Sequence, residues 1–136
     1  MNRILLTALL MSATLATLTQ AQTSYKDRVL EKYQRTGKLE NCLPLGAIRE
    51  TKVLGNSSVL FHMAGGDVYL NETPQPCPML DPPQTRSFIY DTSLSKLCNT
   101  DVITVTDPGS SVPRLGSCGL GQFELLAEKA PPTKTN

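Results

Sequence analysis

Hydrophobic and polar positions change rhythm along this chain, and each change marks a different kind of element. An apolar run from Ile4 to Leu18, diluted by Thr and Ser, follows Arg3 and leads into Thr19-Gln20-Ala21. A positive start, a short apolar middle and a small-residue exit form the pattern of a cleaved export signal, so residues 1–21 are expected to be removed. Ser24 then offers a helix cap. Tyr25, Val29, Leu30 and Tyr33 fall on one helical face, with Asp27 in the first turn and Gly37 as the stop.

From Leu45 the rhythm shortens to runs of strand-forming residues cut by turns. Strands are expected over Ala47–Leu54, Ser58–Met63 and Asp67–Asn71, separated by Gly55-Asn56 and Ala64-Gly65-Gly66. In the second strand Val59, Phe61 and Met63 share one face and Leu60 and His62 the other, so both faces of the sheet should be partly covered. The stretch Glu72–Thr85 carries five prolines, each lacking a ladder donor, and reads as a loop. Ser87–Tyr90 and Asp101–Thr106 follow as strands, Asp107–Gly116 as a turn and loop, and Cys118–Leu126 as the last strand. The expected domain is 22–127, followed by a polar, proline-bearing tail over 128–136 that is expected to be disordered. The fold class is mainly β: a small antiparallel β-sheet or partly closed β-barrel, preceded by one short N-terminal α-helix and held by two disulfides.

Composition narrows the partners. Thirteen Lys and Arg face twelve Asp and Glu, and Arg3 is the single charged residue of the leader, so the mature chain is close to neutral. Basic and acidic residues alternate, as in Lys26-Asp27-Arg28, without the basic stripe of a nucleic-acid binder. No run after the leader approaches the ~20 apolar residues of a membrane span, and no cysteine near the cut offers a lipid attachment point. The expectation is a periplasmic or secreted monomer with no nucleic-acid partner and no stable membrane insertion.

Export decides how the four cysteines, Cys42, Cys77, Cys98 and Cys118, are read. In an oxidising compartment they form disulfides, and none is in the Cys-x-x-Cys spacing that favours zinc or redox catalysis. Four cysteines allow three pairings. His62 is the single histidine and the one candidate for a catalytic or metal-binding role. A copper site with Met63 and Met79 is chemically conceivable, although methionines are usually core filler. No nucleophile elbow or catalytic carboxylate pair stands out, and Asp67, Asp91, Asp101 and Asp107 are placed as turn residues that bond local backbone. Gly119-Leu120-Gly121 lacks the rest of a dinucleotide loop and reads as a bulge or a tight backbone approach. The sequons at Asn56 and Asn71 are taken as ordinary turn residues. No metal, cofactor or catalytic residue is assigned.

The run Cys42-Leu43-Pro44-Leu45, Ile48-Arg49, Val68-Tyr69-Leu70-Asn71, Cys77-Pro78-Met79-Leu80, Leu97-Cys98-Asn99-Thr100-Asp101 and Cys118-Gly119-Leu120-Gly121-Gln122-Phe123 resembles a family of small exported proteobacterial proteins known only as a domain of unknown function. The resemblance spans about Tyr25 to Leu126. It implies a bacterial source, a periplasmic or secreted location and an all-β core after a short helix, and it supplies no activity. It also implies the bridges Cys42–Cys98 and Cys77–Cys118, since some members look as if they keep only the second pair.

The resulting expectation is a non-catalytic binding or envelope-associated module. It would use Asn71–Thr85 and Asp107–Gly116 to hold an envelope protein, a glycan or a small ligand. The rivals are a small hydrolase or metal-binding protein centred on His62, and a β-barrel carrier of an apolar ligand.

Overall fold

Helix α1 (Tyr25–Leu30) starts where a cap is available. The Ser24 hydroxyl accepts from the Asp27 N–H, and the Asp27 carboxylate accepts from the Ser24 N–H, so two orphan donors are satisfied reciprocally. The computed structural model describes residues 23–131; the expected leader and residues 132–136 of the expected tail lie outside it. After one and a half turns the chain leaves the helix, well before Gly37, and enters β1 (Tyr33–Glu40). Tyr33 does lie with Tyr25, Val29 and Leu30 in one apolar cluster, as the helical spacing suggests, but it reaches them from a strand. Gly37, at φ +73°, sits where the β1 register shifts and serves a bulge.

The remaining strands are β2 (Cys42–Pro44), β3 (Ile48–Gly55), β4 (Ser58–Met63), β5 (Val68–Glu72), β6 (Ser87–Tyr90), β7 (Lys96–Cys98), β8 (Val102–Thr106), β9 (Arg114–Gly119) and β10 (Phe123–Glu128). They form three antiparallel sheets, in the orders β1-β10-β5-β4-β3, β2-β7 and β6-β8-β9. The meander β3-β4-β5 is the one that alternation predicts. Its second turn needs Gly65 and Gly66, both at positive φ, with Gly66 N–H donating to the Met63 carbonyl. β1, β2 and β7 are additional strands. The single last strand expected over Cys118–Leu126 is two, belonging to different sheets, and β9 begins inside the expected Ser110–Gly116 loop. β10 runs on to Glu128, and the Lys129 N–H donates to the Lys32 carbonyl at 2.8 Å, so pairing continues past position 127.

Both faces of the five-stranded sheet are covered. On one side Val53, Val59, Phe61, Met63 and Phe123 pack against Leu43, Leu80, Phe88, Leu97, Ile103, Val105 and Leu120 of the smaller sheets and connections. Phe61 is central, its ring 5.4 Å from Phe123 and 6.0 Å from Phe88, at edge and tilted geometries that suit aromatic pairs. On the other side Leu54, Leu60, Val68, Leu70 and Leu126 lie beneath α1. Buried apolar side chains occupy the space between the sheets, where the barrel-carrier reading would place its ligand.

The bridges are Cys42–Cys98 and Cys77–Cys118. The first joins directly opposed residues of the β2-β7 ribbon, beside the buried pair Leu43 and Leu97. The second ties the proline-rich segment to β9. That segment is further pinned by Cys77 N–H to the Asn56 carbonyl, by Arg86 Nε to the Met79 carbonyl, and by the half-buried Arg86–Asp107 ion pair at 2.5 Å. Arg86 thus bridges the two loops expected to carry recognition, through the Met79 carbonyl of one and the Asp107 carboxylate of the other.

The switch from β9 to β10 depends on a buried polar contact. Asn71 is fully buried in β5; its Nδ2 donates to the Gly121 carbonyl at 2.6 Å and its Oδ1 accepts the Gly121 N–H at 3.0 Å. The side chain therefore supplies the ladder partner that Gly121 would otherwise lack. Asn71 is a strand residue, as in the expected strand Asp67–Asn71 and unlike the turn residue that its sequon was taken for, while Asn56 does lie in an exposed turn. A Cβ on Gly121 would collide with the Glu72 carbonyl oxygen, whereas one on Gly119 would meet nothing within 4 Å. The tight backbone approach expected in this motif is found at its second glycine. Gly121→Ala is expected to cost about 3 kcal/mol, an overpacking penalty against rigid backbone, and Gly119→Ala to stay within about 0.5 kcal/mol. Urea unfolding of both variants checks this, and equal midpoints would contradict it.

Candidate functional site

His62 lies half-buried in β4, directly opposite Glu50 of β3 and Val68 of β5. Neighbouring residues of a strand face opposite ways, so Met63, in the core with Met79 packed beside it, is on the other face of the sheet. The side chains proposed for copper do not converge. Among the described residues, no three of His, Cys, Asp and Glu form a metal-holding group. His62 also lines none of the three hollows described below. Asp101 and Asp107 play the local role expected of them, accepting from the Cys98 and Gly109 N–H groups respectively, and Asp107 also binds Arg86.

Of three hollows among the described residues, the largest, about 730 Å³, is an open cleft between the end of α1, β3 and the last described residues. Its charged lining is Arg28, Glu31, Lys32, Lys52, Glu128 and Lys129, and Val29, Ala130 and Pro131 supply the apolar part. A second hollow of about 280 Å³ lies at the start of α1, lined by Tyr25, Asn56, Ser58 and Asp81 among others. The Ser58 hydroxyl is the one buried side-chain polar atom among the described residues without a hydrogen-bond partner. A third, about 380 Å³, sits beside the Cys42–Cys98 bridge with Glu40, Asp67 and Tyr69 over Met63 and Leu43. Partial burial and then the nearby Asp67 and Glu40 carboxylates push the Tyr69 phenol above its ordinary value.

Formal neutrality therefore conceals local charge separation. Cations gather at the α1 cleft and carboxylates at the third hollow. The cleft was not legible from spacing, because Arg28, Lys52 and Lys129 are far apart in sequence and meet only through the β1-β10 pairing and the seating of α1.

That seating is partly electrostatic. Lys26 Nζ reaches Glu72 Oε1 at 2.6 Å, Arg35 reaches Glu72 Oε2 at 2.7 Å, and Arg35 Nε reaches Glu124 at 3.0 Å. The network ties α1 to β5, β1 and β10 across the apolar patch that the helix covers. Partial burial works to raise the Glu72 carboxyl, but hydrogen bonds from Lys26 and Arg35 outweigh it and hold the group below its ordinary value. The same network, led by the Glu124 hydrogen bond, raises the Arg35 guanidinium.

A carboxyl lowered in the folded state adds stability that is fully present above its unfolded value and is lost as pH falls through the folded one. Thermal unfolding of the native chain and Glu72→Gln should differ most near neutral pH, with the gap closing on acidification below the ordinary carboxylate value of 4.5. A gap independent of pH would refute this role for Glu72. In comparisons with known proteins, no family model matches this chain, and no curated protein and no solved structure matches it either.

Proposed function

We propose that this chain is an exported, disulfide-stabilised binding module of the bacterial envelope or its surroundings. The carrying observation is the pair of bridges: both cysteine pairs are joined, and each links elements that define the scaffold. Such bonds persist in oxidising compartments and are rare in a reducing cytosol. The leader pattern of residues 1–21 and the resemblance to small exported bacterial proteins support the same location. No helix among the described residues is long and apolar enough to cross a membrane.

Binding is favoured over catalysis by what the fold invests in. Its polar contacts fix backbone segments, as Asn71 does for Gly121 and Arg86 for Met79, and its hollows combine charged rims with apolar floors. A rigid sheet with such hollows is suited to holding a ligand. The hydrolase reading would have to use His62 opposite Glu50 on a strand pair, outside the three hollows described above.

The test is fractionation of a bacterial host expressing the full chain, with intact mass and thiol alkylation of the product. The expected species starts near Gln22, leaves the cytosol and takes up no alkylating reagent until reduced. A full-length cytosolic chain with four reactive thiols would overturn the reading.

A further inference from the structure

The cleft beside α1 gathers four cations, Arg28, Lys32, Lys52 and Lys129, and none of them makes an ion pair among the described residues, although Glu31 and Glu128 line the same cleft. Lys32 and Lys52 instead hold their ammonium groups over the rings of Tyr33 and Tyr25, at 5.1 and 5.9 Å. Lys32 and Lys129 are more constrained still. They extend the β1-β10 ladder by one step beyond the Tyr33 and Glu128 pair, and the Lys129 N–H donates to the Lys32 carbonyl at 2.8 Å. Backbone pairing therefore sets two like charges opposite one another, an arrangement that is unfavourable on a sheet by itself.

A compact anion placed between them would reverse the sign of that interaction. Arg28, from the last turn of α1, and Lys52, from β3, stand on the other walls of the same hollow, while Val29, Ala130 and Pro131 give it an apolar part. A concave cleft of about 730 Å³ suits an inserted ligand better than a flat lipid surface.

We propose that this cleft binds a soluble, polyvalent anionic small molecule, one carrying phosphate or several carboxylate groups, with Lys32 and Lys129 as the central pair. The proposal rests on the binding-module reading and names the ligand class of the hollow beside α1. Arg28 and Lys52 flank the central pair. Since the chain as a whole is near neutral, attraction is local and should weaken steeply with salt.

Calorimetric titration of the oxidised mature chain with pyrophosphate at low ionic strength tests it, with citrate as the carboxylate arm. Binding of either anion is expected to weaken roughly two- to fivefold in Lys32→Gln and in Lys129→Gln, the worth of an exposed charge contact, and further in the double variant. Lys38→Gln, exposed on β1 outside the cleft, should leave it unchanged, and all variants should stay fully folded at the titration temperature. Three results would overturn the proposal: no binding of either anion, an equal effect of Lys38→Gln, or binding confined to phosphatidylglycerol vesicles. Failure in a correctly processed, fully oxidised chain would leave the export reading standing. A chain retained in the cytosol with its leader would fail that earlier reading instead.

Discussion

Two interleaved covalent links hold this molecule together. Cys42 pairs with Cys98 across 56 residues and Cys77 with Cys118 across 41, and each closed loop contains one end of the other. In the loop-closure picture each link removes about 4 kcal/mol of unfolded-chain entropy when formed alone, and less when the other already shortens the path. The elements they join are ones that hydrogen bonding alone holds weakly. β2 and β7 have three residues each, and a two-stranded ribbon of that size has little stability in water. The segment around Cys77 is a proline-rich connection with a single 3-10 turn, Pro78–Leu80.

Those links allow a modest core to do the rest. With no Trp and three Phe, the interior relies on Phe61, Phe88 and Phe123 meeting in one place and on aliphatic residues around them. The five-stranded sheet divides this core from a smaller one under α1, so the helix is held by a patch of aliphatic side chains and by the Lys26–Glu72–Arg35–Glu124 network at its edge. Seating α1 is also what forms the cationic cleft. Structure and proposed recognition are linked at that point, because a shift of the helix would separate Arg28 from the β1-β10 pair of lysines.

What could be read from residues alone follows the distance over which each feature is decided. The Ser24 cap and the β3-β4-β5 meander are local, set by a three-residue hydrogen-bond exchange and by alternation between turn residues, and both appear where the pattern places them. β1 was hidden because Gln34–Lys38 are exposed and polar, leaving Tyr33 and Leu39 as its only large apolar residues. β2 and β7 are too short to alternate. The break between β9 and β10 is imposed by Asn71, 50 residues away, and no window around Gly121 could show it. Gly121 itself was legible as a close approach, but its partner, the Glu72 carbonyl, was not. Of the candidate site, His62 was visible as a lone imidazole, while the cleft emerged only when four cations from three parts of the chain were brought together.

The most direct measurement of the central claim is equilibrium unfolding of the mature chain, oxidised and with each cysteine pair replaced by Ala. Losing either pair is expected to lower stability by about 3 to 4 kcal/mol, and losing both to leave no cooperative transition at about 37 °C. A doubly substituted chain that unfolds at the same denaturant concentration as the native one, with its tertiary near-ultraviolet signal intact, would contradict it.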